Sequence, residues 1–516
     1  MMPALPIHAD YPAGTILNPA GVPVSAESFP TAYEGASMSD RLSDFGLSSI
    51  GPSGNAASIS SLRKRARSLE RNDPSANKGI NSYVSNLVGT DISPFWDSID
   101  NEEQREEIQE LWDDSQQEAD YYGVSDFYGT QEIICRSMVR DGEGLGRFHH
   151  VHPDAGLLVP LQVQVIEGDH LDAGYNDISP EGNEIRYGIE WKGGRRYKYW
   201  LYRDHPGEMF LTGTDLTRVG VPAGDVSHVF RPLRAGQARG ISWLSPILVM
   251  LHDINQYNDF EIQRKKAASL FGGFIYKDNQ IDHNRTRNPV VGGKETSFTS
   301  GTQTVKVGGA TFPILTGNDR ISFSQPGDVG NNYLAFMKTE FRLIAAGLGI
   351  TYEQLTGDLE GVNYTSLRAG LIEFRRLCET IILRTLVFQY CRPYINRWIS
   401  SAILNGCLET VSISEYLQNK RKFHRVSWHP HGWDFVDPVK DRIAEKMDIR
   451  NGINTRGNVI SRRGRNIYRV DKGQESDRKN ARDRGLVYDS DPGQTNDSGA
   501  MQKIEEKIIL DAATTE

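Results

Sequence analysis

Apolar positions in this chain recur with a helical period, then with a period of two, then helically again, and these switches divide it into parts. Residues 1–60 scatter apolar side chains among Pro, Gly, Ser and Ala, which predicts a poorly structured arm, ordered only where it lies on other chains. Ser75 to Val88 has a helical pattern, with Gly89 where a helix stops. Asp97 to Asp120 holds eleven carboxylates and one arginine and reads as a solvated helix face. From Gln131 the period shortens, and Leu161, Val163 and Val165 alternate with glutamines as on a half-buried strand. Ile185, Tyr187, Ile189 and Trp191 alternate again before Gly193-Gly194 turns the chain into Tyr197, Tyr199 and Leu201. Glycine tolerates the positive φ of a two-residue hairpin turn, so residues 131–232 read as a mainly β unit.

Three helices follow. Residues 242–270 place Leu244, Ile247, Leu248, Leu251 and Ile254 on one face, then turn polar in DFEIQRKKAAS. Residues 331–347 do the same with Tyr333, Leu334, Met337, Phe341, Ile344 and Ala345. Between them, 271–330 is rich in Gly, Asn, Thr and Ser, with short β-like pieces TQTVKV and RISFSQ. The third helix runs from Tyr364 to Cys391 with Leu367, Leu371, Phe374, Cys378, Ile381 and Ile382 inward, a length of roughly 40 Å, and Pro393 is expected to kink or end it. After Gly406 comes a shorter helical region. Asp437-Pro438 is a fitting N-cap and first turn for a helix through Met447. From Ser461 the chain is polar, with one last helical candidate at Gln502–Leu510. No internal repeat is visible.

Composition changes this picture little. At 516 residues, 38% hydrophobic and 24% charged, the chain folds as two to four packed units. The start lacks a basic stretch followed by an apolar one, so no secretory signal is expected, and no run is apolar enough to span a membrane. Cys135, Cys378, Cys391 and Cys407 show no CxxC and read as reduced, mostly buried thiols. A net charge of -9 argues against a protein that grips nucleic acid with its whole surface, though not against one that lets it slide past.

Candidate chemistry is sparse. Asp141–Phe148, DGEGLGRF, is glycine-rich, but no helix follows to aim amides at a phosphate, and a tight turn between two β pieces is the better reading. His149, His150 and His152 cluster, and His429 and His431 flank Pro430, but no carboxylate or cysteine stands beside either group at ligand spacing. Ser61 to Lys64 matches SxxK without its partner motifs. The basic patch Arg63, Lys64, Arg65, Arg67 and Arg71 is the one candidate for phosphate contact from composition, against a solvated helix face. No GxSxG, HExxH or Walker motif is present, so no nucleotide-driven or hydrolytic chemistry is expected.

Several segments, in order and at matching spacing from about residue 61 to 490, resemble the lambda-family phage portal proteins. They are RARSLERNDPSANKGINSYVSNLVGTDISP, DGEGLGRF, VIEGDHLD, HVFRPLRAGQARGISWLSPIL, AAGLGITYEQLTGDLEGVNYTSLRAGLIEFRR and WDFVDPVKDRIAEKMDIRNGINTR. The resemblance implies an α+β portal-type fold in a closed ring of about twelve copies. Its parts would be the arm 1–60, a mixed α/β wing at 61–241, stem helices at 242–270 and 331–349 around a β-rich clip at 271–330, a tunnel-loop region at 350–363, a long wing helix within 364–410, and a mostly helical C-terminal wing, crown and tail at 411–516. Implied tunnel-loop residues are Gly357, Asp358, Leu359, Glu360, Gly361, Val362, Asn363 and Tyr364, with Lys338 and Arg342 facing the bore of the stem.

The implied role is a non-enzymatic conduit at the portal vertex of the virion, assembled in the host cytoplasm. Its partners would be copies of itself, double-stranded DNA in the bore, the large terminase subunit, a head-completion or adaptor protein, and the major capsid and scaffolding proteins. Neither cofactor nor membrane is expected. A loop reading Gly-Asp-Leu-Glu-Gly-Val-Asn-Tyr bends and repels phosphate, whereas a cationic constriction would hold DNA through counterion release. The rivals are a nucleic-acid enzyme of the packaging machinery, which needs clustered metal-binding carboxylates or a Walker lysine, and another phage structural subunit, for which two helices flanking a β-rich insert have no reason.

Overall fold

The structure is a computed structural model. It describes residues 56–208, 213–270, 333–433 and 438–486, the isolated positions Gly51, Gly54 and Tyr488, and four strands within 271–332. The arm expected at 1–60 and the helix expected at Gln502–Leu510 lie outside the described residues, apart from the last few positions of the arm, which already belong to α1 (Ala56–Asn72).

Asp73 ends α1 and caps α2 (Pro74–Leu87) by accepting from the Ala76 amide, with Pro74 supplying a preset first turn. β1 (Ile92–Phe95) leads into the acidic α3 (Glu102–Ser115), whose Ile108 and Trp112 are buried. Next comes α4 (Phe127–Asp141), which corrects the β reading from Gln131. Ile134, Cys135, Met138 and Val139 sit at helical spacing in the core, a short period masked by the alternation that starts just after it.

Gly142, at φ 94, turns the chain from α4 into β2 (Glu143–His150), so the glycine-rich segment is a helix-to-strand turn rather than a turn between strands. A Cβ on Gly142 would stand 2.2 Å from the Ile241 carbonyl carbon, so a side chain is excluded by space as well as by φ. β2 is flanked by β3 (Leu161–Glu167) and later by β9 (Val226–Phe230), both antiparallel. A second antiparallel sheet runs β4 (Asp177–Ile178), β5 (Glu184–Arg186), β6 (Ile189–Lys192), β7 (Arg195–Tyr202) and β8 (Arg218–Pro222). Ile185 to Trp191, expected as one strand, is instead a hairpin, because Tyr187 (φ 55) and Gly188 (φ 80) turn the chain between β5 and β6. The Gly193-Gly194 turn is as expected, both residues having positive φ.

The first of the three long helices is α5 (Leu248–Leu270), starting six residues later than the pattern suggested, although Leu244 and Ile247 are buried ahead of it. Within 271–332 the strands β10 (Ile275–Tyr276), β11 (Ser297–Thr299), β12 (Thr302–Val307) and β13 (Ala310–Leu315) form a sheet in the order β10-β13-β12-β11. TQTVKV is β12, and RISFSQ lies outside the described residues. α6 (Tyr333–Leu348) buries Met337, Ile344 and Ala345 but leaves Leu334 77% exposed, contrary to its expected inward place.

A short α7 (Tyr352–Thr356) interrupts the expected loop, and α8 (Tyr364–Ile381) follows. Pro393 does not end this helix. Residues Ile382–Cys391 widen into a π-helix, in which the Arg392 amide donates to the Val387 carbonyl, and α9 (Arg392–Leu404) carries on. The wider turn takes up the proline's missing donor and its clash with the preceding turn. The last described elements are α10 (Ile413–Gln418), α11 (Lys420–His424), β14 (Ser427–Pro430, paired with β1), α12 (Pro438–Arg450), α13 (Arg456–Ser461) and α14 (Ile467–Asp483). The cap expected of Asp437 on α12 lies outside the described residues. α14 lies in the polar stretch where no helix was expected before Gln502.

The main core is held by aromatic rings from distant segments: Trp96, Trp112, Phe127, Tyr390, Tyr394 and Trp398. Each indole N–H has an acceptor: Trp96 donates to the Phe423 carbonyl at 3.0 Å, Trp112 to the Tyr128 hydroxyl at 3.1 Å and Trp398 to Ser115 at 3.0 Å. Tyr83 joins α2 to the base of the long helices, packing against Trp243 and Phe374 and donating to the Leu348 carbonyl at 2.5 Å.

Candidate functional site

Four of the family-like segments meet at one buried cluster of charges. Its centre is Glu143, at the start of β2 and fully buried. The Glu143 carboxylate accepts from Arg63 on α1 at 2.8 Å, from Arg239 Nε at 3.0 Å, from His228 Nε2 on β9 at 3.0 Å and from the Gly240 amide at 2.9 Å. Arg239 also donates to the carbonyls of Gly168, at 3.1 Å, and Tyr187, at 3.0 Å, so it fixes the positive-φ turn between β5 and β6. Beside it Arg67 donates to Asp141 and Asp169, at 2.8 and 2.6 Å, and Arg140 to Asp141 and Glu167, at 2.7 and 2.8 Å.

Burial alone would raise the Glu143 carboxyl, but Arg239 and the hydrogen bonds from His228 and Arg239 hold it well below the usual carboxylate range. Burial pushes His228 down to about 4, with Glu143 only partly opposing, so near neutral pH the neutral ring donates its Nε2 proton. Four guanidiniums face four carboxylates here (Arg63, Arg67, Arg140 and Arg239 with Asp141, Glu143, Glu167 and Asp169), so the cluster is balanced. These paired groups position the sheet on α1 and α4, although Arg63 Nε and His228 Nδ1 have no hydrogen-bond partner.

This corrects the reading of the basic patch. Arg63 and Arg67 point inward into ion pairs, and only Lys64, Arg65 and Arg71 lie on the exposed side. Sequence reasoning missed Asp141, Glu143, Glu167, Asp169, His228 and Arg239 as a group. The available signal was a carboxylate between two glycines at a strand start, Gly142-Glu143-Gly144.

Glu167, Asp169 and His205 bring possible metal-ligand atoms within 4.8 Å of one another, but Arg67 Nη2 already stands 2.8 Å from Glu167 and 2.6 Å from Asp169. The space suits a guanidinium rather than a cation with two or more charges. None of the clustered histidines joins a metal-ligand grouping among the described residues. His149 stacks on Tyr121 and bonds to Gln164, His150 and His152 are exposed, and His429 faces Ser461.

The expected tunnel-loop and bore residues come together elsewhere. Thr351 and Gln354 form a capping box on α7, and Gly357 ends that helix. Asp358 then accepts from the Glu360 amide at 3.0 Å and the Tyr352 hydroxyl at 3.1 Å, and Lys338 Nζ lies 3.9 Å away. The Glu360 amide, Tyr352 and Lys338, in that order, draw the Asp358 carboxyl below its ordinary value. Lys338 and Arg342, both on α6, approach the Tyr352 ring at 5.5 and 5.8 Å. These residues, with Glu360, Gly361, Val362 and Asn363, line a cleft of about 290 Å³. Leu359 and Tyr364 are about half exposed or more, and Asn363 caps α8 by accepting from the Thr365 amide.

The loop is thus tied to one of two helices that flank a β-sheet insert, and the α/β unit is built around a buried ion cluster. The family described as phage portal protein, lambda family, matches residues 40–381, more than half of the chain, and the chain belongs to that family. Its relatives include a probable portal protein of Halomonas phage phiHAP-1, 26% identical over 67% of this chain and 64% of the relative. The portal protein of Escherichia phage N15 is 23% identical over 78% of this chain and 80% of its own length. Portal protein B of Escherichia phage lambda is 23% identical over 60% and 61%. The match thus spans just under two thirds of the length of the Halomonas and lambda phage relatives. Among solved structures, a chain from the neck of a native gene transfer agent particle, computed with C12 symmetry, is similar at TM-score 0.38 and 13% identity, over 76% of this chain and 91% of that one.

Proposed function

We propose that this chain is the subunit of the ring at one vertex of a phage capsid, the passage for genome entry and exit and the platform on which terminase and head-completion proteins dock. The observation that carries the reading is the apolar surface a single copy leaves uncovered on its long helices. Val249 and Phe260 on α5, Leu334 and Leu343 on α6, and Leu383 and Phe388 in the π segment are each 52–77% exposed. Side chains of this kind on neighbouring helices mark an interface, and a heterologous contact that closes on itself gives a ring.

In this reading α5 and α6 are the stem, the β10–β13 sheet is the clip that faces the motor, residues 350–363 are the tunnel-loop region, α8 through α9 is the wing helix, and α12 to α14 belong to the C-terminal crown region. The subunit has no catalytic step, and no helix among the described residues is long and apolar enough to cross a membrane. Deleting 271–330 and joining α5 to α6 by a short turn tests the assignment. The expected product still folds and forms particles of the same symmetry, but complements head completion poorly in infected cells. Loss of folding would show that the segment packs into the core and would end the clip assignment.

A further inference from the structure

The C-terminal elements α12, α13 and α14 bury no apolar side chain, so they are held by something other than a core. The entry to α14 is fixed by backbone packing: a Cβ on Gly432 would stand 2.5 Å from the Arg463 Cα. Ser461 Oγ meets His429 Nδ1 at 3.1 Å, and Asn466, only 4% exposed, donates to Asp97 at 3.2 Å. Beyond Asn466 the ties to α3 change character. The Arg105 guanidinium lies 3.9 Å from the centre of the Tyr468 ring, Arg469 pairs with Asp113, and Lys472 Nζ is 2.9 Å from Glu106. Residues 471–480 are all exposed, and a cleft of about 630 Å³ lies between the two helices.

We propose that α14 is a salt-labile lever, hinged at residues 462–466 and latched onto the acidic face of α3 by Asp113 and Glu106. Exposed ion pairs, among them Arg456 with Asp471, are screened within a Debye length, about 3 Å at 1 M salt, while the backbone packing at Gly432 and the buried Asn466 hydrogen bond depend less on salt. A released α14 has no apolar face to pack, and a polar helix of this length frays when alone in water. Lifting it frees Glu106 and Asp113 of α3 from their partners and uncovers the face of Phe95, over which Arg469 lies. The inference stands on the contacts of one chain and does not depend on the portal reading.

Hydrogen exchange on the full chain at low salt and at about 1 M sodium chloride tests it. The α14 amides should lose protection by about threefold to tenfold in high salt, while those of β2 stay unchanged. The double substitution Glu106→Lys/Asp113→Lys should produce the same loss at low salt, and adding Arg469→Glu/Lys472→Glu should restore protection. Protection of α14 that is independent of salt, or a charge exchange that fails to restore it while β2 remains protected, would overturn the lever. The salt series on the unaltered chain decides the matter even if the lysine variant does not fold.

Discussion

Replacing Glu143 by glutamine keeps the volume of the side chain and removes one charge from the centre of the buried cluster. Arg63 and Arg239, with side chains 3% and 2% exposed, then face a neutral amide. Arg63 keeps Asp169 at 3.2 Å, so the charge left stranded is chiefly Arg239, whose remaining acceptors are the carbonyls of Gly168 and Tyr187. Breaking a buried ion pair from one side costs roughly 3–5 kcal/mol, and the surviving Asp169 contact places this case toward the lower end. With a urea dependence of about 3 kcal/mol per molar, the unfolding midpoint should fall by roughly 1 M. Urea titrations followed by tryptophan fluorescence read this directly, with the exposed Glu184→Gln as a control that leaves the midpoint in place. A Glu143→Gln midpoint within about 0.2 M of the unaltered chain would refute the claim that the cluster holds the sheet on α1 and α4.

Acid should weaken the same region in two stages. His228 has a folded value of about 4 against an ordinary 6.5, so the unfolded chain takes up a proton first and stability falls as pH drops from 6.5 toward 4, by at most about 1.4 kcal/mol per unit. Glu143, depressed when folded, adds stability that is complete above its ordinary 4.5 and is lost as pH falls below it. Urea midpoints against pH should therefore slope downward from 6.5, and His228→Gln should flatten the upper stage; an unchanged slope in that variant would show that His228 is not its source. Gly142→Ala should cost more than about 3 kcal/mol or abolish soluble expression, since φ 94 and the 2.2 Å approach to Ile241 both exclude a side chain; a thermal midpoint equal to the unaltered chain's would contradict this. Asp358→Lys/Glu360→Lys should slow DNA passage most at low salt in single-molecule packaging while rings still form. Normal translocation, or loss of the ring before DNA is added, would defeat the phosphate-repelling role and leave Asp358 as the anchor of the loop on Tyr352 and Lys338.

The elements with long, clean periods were legible from sequence. Leu244 to Ile254 are buried as a face, β3 and the hairpin at Gly193-Gly194 stand where alternation put them, and TQTVKV is a strand. Tyr187 broke the pattern because a bulky residue at positive φ gives no local sign, and the turn is held from a distance by Arg239. Pro393 misled because a π-helix absorbs what would end an α-helix, and its register depends on packing around Tyr390 and Cys391 rather than on local preference. α14 escaped notice because it buries no apolar residue, so no amphipathic stripe announces it. The site was half legible. The loop residues and the two cations Lys338 and Arg342 do meet, but the charged cluster joins residues up to 176 positions apart, Arg63 with Arg239 through Glu143, and their shared burial is invisible to a linear pattern.

The central claim, that copies of this chain close into a ring, is tested most directly by the mass of the purified full-length particle. Native mass spectrometry or light scattering across a range of salt should find a discrete closed species near twelve times the 57.8 kDa of one chain, with a central channel in electron micrographs. A monomer as the sole species at every salt concentration, or open polymers of indefinite length, would contradict it.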